Sequence, residues 1–176
     1  KASPSAFSQC RLQASSPGGM KVQRGGPRSF ETTVPTDKSI THRALILGAI
    51  SRGETIIRKA LPSLDCLATA QILRQLGVNI DWQPDNTVRI WGGELQESTQ
   101  ILDCQNSGTT MRLMCGLLAG QNFYSVLSGD SSLNHRPMAR VIQPLLAMGG
   151  RIFARDGNKY PPLTVVGSKL EGLSHY

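Results

Sequence analysis

Apolar positions along this chain follow two alternating rhythms. From residue 39 to 51 they recur every three to four positions, which predicts an amphipathic helix stopped by Gly53. "ETIIRKA" (54 to 60) then reads as a strand, and "DCLATAQILRQL" (65 to 76) as a second helix stopped by Gly77. "VNIDW" and "TVRIWG" read as two strands around the turn "QPDN". The same order follows again: a helix at 108 to 119, the strand "FYSVLSG", a helix at 136 to 148, the strand "RIFAR", the turn "DGNK" and the strand "LTVVG".

The order repeats, and so do individual residues. Ser39 is followed four residues later by Arg43, and Gly108 four residues later by Arg112, with the two arginines 69 residues apart. "QLGVNI" (75 to 80) is echoed by "AMGGRI" (147 to 152) at an offset of 72. An internal repeat of roughly 70 residues is therefore expected, of form βαβαββ once a strand at 29 to 34 is added in front. The fold class this predicts is α/β (α+β), with mixed sheets packed on buried helices. The units are drawn at 29 to 104 and 105 to 176, within one incomplete domain.

Composition changes this picture mainly at the N-terminus. The 176 residues are 39% hydrophobic, enough for a core, and no apolar run approaches the length of a membrane span. The net charge is +7, but residues 1 to 30 hold five cations and no acid, leaving 14 basic and 12 acidic residues in the other 146. A nearly balanced body with nine aromatics argues against nucleic-acid binding. Residues 1 to 28, rich in Ser, Gly and Pro, are expected to be a disordered leader. Their Arg and Ser content without acids resembles an organellar transit peptide, while Met20 offers an alternative start. Cys10, Cys66, Cys104 and Cys115 show no metal-ligand spacing, and His42, His135 and His175 are scattered, so reduced thiols and no metal site are expected.

The stretch "CQNSGTTMRLM" (104 to 114) carries the clearest chemistry. Small and hydroxyl residues before an apolar helix expose backbone N–H groups at the positive end of the helix dipole, which makes an anion site. Gly108 lets a ligand approach the backbone, and Arg112 lies one turn up on the same face. A capped helix with a surface arginine is the alternative reading of the same residues.

Three motifs in order, "DKSITHRA", "NSGTTMR" and "GDSSLNHRPM", resemble the 5-enolpyruvylshikimate-3-phosphate synthase family over about residues 29 to 176. The resemblance implies transfer of the enolpyruvyl group of phosphoenolpyruvate to the 5-hydroxyl of shikimate 3-phosphate, with release of phosphate, in aromatic amino acid biosynthesis. It implies no metal and no organic cofactor. Lys38 would contact both substrates, Ser39 and Arg43 would hold shikimate 3-phosphate, and Gly108 and Arg136 would meet phosphoenolpyruvate. Asn106, Thr109 and Arg112 would support them. Retention of Gly108 implies sensitivity to glyphosate, a mimic of phosphoenolpyruvate. Pro35-Thr36 stands where the family usually has Pro-Gly, Ser107 replaces a common Ala, Leu113 a common Pro and Thr41 a common Ser.

The resemblance also implies six βαβαββ units in two domains, with the phosphate-gripping Ser-Ala-Gln segment and the acid and base residues in the units that follow these two. The expectation is therefore an N-terminal fragment inactive alone, monomeric when complete, and cytoplasmic, or plastid if residues 1 to 19 belong to a transit peptide. The alternatives are a relative of UDP-N-acetylglucosamine 1-carboxyvinyltransferase, which shares the donor, and a non-catalytic anion-binding module.

Overall fold

A computed structural model describes residues 35 to 174, together with the backbone of two short strands nearer the N-terminus, β1 (Gln13–Ser15) and β2 (Gly19–Lys21). These two pair antiparallel as a unit of their own, inside the stretch read from sequence as a disordered leader. The rest of that leader and the strand expected at 29 to 34 lie outside the described residues.

From Thr36 onward the chain forms one compact unit. Helix α1 (Lys38–Ile50) is capped by Asp37, whose carboxylate accepts from the Ile40 N–H at 2.7 Å. Its buried residues, Thr41, His42, Leu45, Gly48 and Ala49, follow the helical period. Strand β3 (Gly53–Ile57) leads through a loop to α2 (Leu64–Gln75), capped by Ser63. Strands β4 (Asn79–Trp82) and β5 (Val88–Gly92) complete an antiparallel sheet in the order β3-β5-β4.

Strand β6 (Leu102–Asp103) opens the second half, followed by α3 (Gly108–Ala119) and β7 (Tyr124–Ser128). Next come α4 (Ala139–Ala147), β8 (Arg151–Ala154) and β9 (Tyr160–Val166). Their sheet runs β6-β7-β9-β8, and its last three strands repeat the order of the first sheet, with β6 added parallel to β7. Both halves share one core, in which Leu45, Ile72, Leu73, Ile90, Met111 and Leu118 are fully buried.

Three segments depart from the expected pattern for local reasons. The strand read as 54 to 60 ends at Ile57, because Lys59 takes a left-handed conformation (φ 56°) and the Ala60 N–H turns to the Asn86 carbonyl at 2.9 Å. The helix read as 136 to 148 starts only at Ala139. Pro137 disfavours helical geometry at Arg136, which is extended (φ −85°, ψ 132°), and the Met138 N–H goes to the Lys159 carbonyl at 2.7 Å. Residues 133 to 135 form a short 3₁₀ turn instead. The two-residue β6 is too short to leave a period in the sequence, although its pairing with β7 brings residues 102 and 103, before the boundary drawn at 104, into the second sheet.

Gly92 marks where β5 runs closest to α1. A methyl group there would lie 2.1 Å from the Gly48 carbonyl oxygen and 2.4 Å from that of Ser51, whereas one at Gly93 would meet nothing within 4 Å. Gly92→Ala is therefore expected to destabilise the chain by about 3 kcal/mol or more in urea unfolding, with Gly93→Ala nearly neutral. Equal effects of the two substitutions would contradict this packing.

Candidate anion site at three helix N-termini

The N-terminal ends of α1, α2 and α3 meet through side chains that their caps leave free. The Lys38 ammonium, in the first turn of α1, lies 2.7 Å from the Asp65 carboxylate in the first turn of α2. That hydrogen bond, and then the charge of Asp65, raise the pKa of Lys38, so the ammonium is held charged. Below this pair the contact is buried. His42 Nδ1 lies 2.8 Å from Thr69 Oγ1, which lies 2.9 Å from Thr110 Oγ1. Thr110 Oγ1 in turn reaches Ser107 Oγ at 2.7 Å and the Asp65 carbonyl at 3.1 Å. His42, Thr69, Thr110 and Ser107 are all at most 1% exposed.

Ser107 also caps α3, accepting from the Thr110 N–H at 3.1 Å, and so fixes the backbone where Gly108 begins the helix. Arginines surround that glycine. Arg112 donates from Nη1 to the Gly108 carbonyl at 3.1 Å and from Nη2 to that of Pro137 at 3.3 Å. Burial, then the charges of Arg140 and Arg136, push the Arg112 pKa down. Arg136 donates to Asn106 Oδ1 at 2.5 Å, and Asn106 Nδ2 donates to the Asp130 carboxylate at 2.7 Å. Asp130 also accepts from the Leu133 N–H at 2.7 Å. That backbone bond, the Asn106 amide and the nearby Arg136 hold the Asp130 carboxyl below its ordinary range.

The residues singled out from sequence thus fall into two groups. Asn106, Gly108, Arg112 and Arg136 come together directly, with half-buried Thr109 in the same first turn. Lys38 connects to them through Asp65 and Thr110. Ser39 and Arg43 are exposed on α1, where Arg43 Nη1 donates back to the Ser39 carbonyl at 3.0 Å. Sequence reasoning missed Asp65, His42, Thr69 and Asp130. The available signal was polar residues at buried positions of apolar helices, and an acid at the head of "GDSSLNHRPM".

Two recesses lie at opposite ends of these helices. One of about 630 Å³ is bordered by Leu64, Asp65, Ile101, Asp103, Asn106 and Asp130, and its three carboxylates disfavour an anion. The other, about 850 Å³, lies at the C-terminal ends of α1 and α3 between Ile50, Leu117, Gln121 and Lys169. That end carries the negative pole of each helix, opposite to Gly108. Cys66, Cys104 and Cys115 are free and buried, and burial pushes their thiols up, Cys115 to about 12, so they are neutral core groups. No described helix is long and apolar enough to cross a membrane.

Fold and site together define a mixed α/β protein whose helix N-termini and placed cations suit a small, strongly anionic ligand. The chain belongs to the EPSP synthase (3-phosphoshikimate 1-carboxyvinyltransferase) family, whose sequence model matches residues 22–176. It is 49% identical over 158 residues to the 3-phosphoshikimate 1-carboxyvinyltransferase of Syntrophotalea carbinolica, covering 88% of this chain and 37% of the relative. It is 52% identical over 148 residues to that of Geobacter metallireducens, covering 82% and 34%. An EPSP synthase structure from Acinetobacter baumannii superposes with a TM-score of 0.78 at 40% identity, over 82% of this chain and 34% of that one. The chain spans about a third of the length of these relatives.

The lowered Asp130 fixes a pH response. Its carboxylate holds the Asn106–Arg136 arrangement and the Leu133 N–H above its pKa, and the contribution is lost as pH falls through that value. The Leu133 amide resonance should titrate with a midpoint below the ordinary aspartate value of 3.8. A midpoint at or above 3.8 would show that the carboxylate lacks these partners.

Proposed function

We propose that this chain supplies the anion-holding part of an enolpyruvyl transfer. The 5-hydroxyl oxygen of shikimate 3-phosphate forms a bond to the enol carbon of phosphoenolpyruvate, and the phosphate on that carbon leaves. Both reactants are multiply charged anions, and fixed positive charge with oriented N–H donors offsets their repulsion. The observation that carries the reading is Gly108: its backbone begins α3 with no Cβ in the way, between the guanidinium groups of Arg112 and Arg136.

In this reading Arg136 and the Gly108 backbone hold phosphoenolpyruvate, and Lys38 touches both substrates as a compact charge. Ser39 and Arg43 hold shikimate 3-phosphate, for which Arg43 would leave its contact with the Ser39 carbonyl and grip the carboxylate as a planar fork. Asn106, Thr109 and Arg112 support the first group. Proton transfer falls to none of them. The two sheets are read as two of six βαβαββ units, in an enzyme that is monomeric, cytoplasmic and independent of nucleic acid. Membership of the family and its bacterial relatives support that reading.

A chimera tests it, with residues 36 to 174 replacing the matching third of the Geobacter metallireducens relative. It should release phosphate from the two substrates, and Lys38→Ala and Arg136→Ala should each lower kcat/KM at least about a hundredfold, or ~2.7 kcal/mol. An active chimera indifferent to either substitution would overturn the residue roles. Gly108→Ala should keep the fold, because the added methyl meets the far ends of two long side chains, Arg112 Nη1 at 2.7 Å and Arg136 Nη1 at 3.7 Å, yet it should weaken glyphosate inhibition by filling the approach to the backbone. An unchanged inhibition constant would contradict that placement.

A further inference from the structure

The anion site rests on a buried polar group that no substrate contact explains. His42 is fully buried on α1, with Nδ1 against Thr69 and with no hydrogen-bond partner for Nε2 among the described residues. The neutral ring carries one proton, and its place is decided by cost. On Nε2 the proton would make an orphaned buried N–H donor; on Nδ1 it is bonded, and Nε2 is left with only an idle lone pair. Nδ1–H then donates to Thr69 Oγ1, which turns the Thr69 hydroxyl proton to Thr110 Oγ1 at 2.9 Å in preference to the Asp65 carbonyl, the more distant acceptor at 3.4 Å. The Thr110 proton in turn points to Ser107 Oγ at 2.7 Å, the nearer of its two acceptors, the Asp65 carbonyl lying at 3.1 Å. One proton position on His42 orders the hydroxyls down to the cap of α3.

We infer that His42 is a positioning residue: as the neutral Nδ1–H tautomer it sets the direction of the Thr69–Thr110–Ser107 hydrogen bonds and thereby fixes the Gly108 end of α3. Its surroundings keep it neutral. Burial pushes its pKa down, Asp65 opposes this, and Lys38 and Arg43 add to it. A positive imidazole would present a second N–H with nothing to bond. Asparagine, whose amide nitrogen occupies much the same place as Nδ1, is the substitution that preserves the donor.

Only the effect on phosphoenolpyruvate depends on the proposed function. In the full chain at neutral pH, nitrogen NMR of the His42 ring should show the proton on Nδ1. A proton on Nε2, or a doubly protonated ring, overturns the inference without any variant having to fold. His42→Leu should speed hydrogen exchange of the Thr110 amide and weaken phosphoenolpyruvate binding about tenfold, and His42→Asn should restore both to within about threefold. Unchanged Thr110 exchange in His42→Leu also overturns it. If the wild-type chain binds no phosphoenolpyruvate while the ring and Thr110 behave as expected, the proposed function fails and the role of His42 is supported.

Discussion

Three helix N-termini are held against one another by a short line of buried hydroxyls, and the cationic surface above exists because that line holds. Thr110 is its centre. It touches Thr69 on α2, the Asp65 carbonyl at the start of α2, and Ser107, which caps its own helix. Each of these groups would be costly to bury alone, and joined they leave one ring nitrogen of His42 without a partner among the described residues. The cost of hiding polar atoms in a core is thus offset by fixing where helix dipoles point.

The charges follow from that arrangement. Asp65 pairs with Lys38, and the Asn106–Asp130 pair holds Arg136, so two of the cations have partners that an anionic ligand would compete with. Among the described residues Arg112 has only carbonyl partners, and it feels the charges of Arg136 and Arg140. A crowd of like charges around a glycine is unfavourable without an anion and favourable with one.

Much of the fold was legible, because its helices bury one face and α1, α2 and α3 carry side-chain caps. The span read for the helix at 108 to 119 coincides with α3, since Ser107 caps it and Gly120 ends it. What was illegible depended on distant partners. The late start of α4 follows from the bond between Met138 and Lys159, and the two-residue β6 from its pairing with β7. β9 was read from Leu163 because its ladder bonds begin there, after two prolines that lack an N–H. In the site, Arg112 stood out by its offset from Gly108 and Arg43 by its offset from Ser39. Asp65 did not, because its partner Lys38 lies 27 residues earlier and no local period links them. His42 looked like one of three scattered histidines until the fold put Thr69 beside it.

The central claim is that the ligand's charge sits at the start of α3, and a titration of phosphoenolpyruvate into the chain followed by amide and side-chain NMR tests it most directly. The account predicts the largest shifts at the backbone N–H groups of Gly108, Thr109 and Thr110 and at the guanidinium of Arg136. Shifts centred instead on the recess around Ile50, Leu117 and Lys169, at the negative ends of α1 and α3, would contradict it.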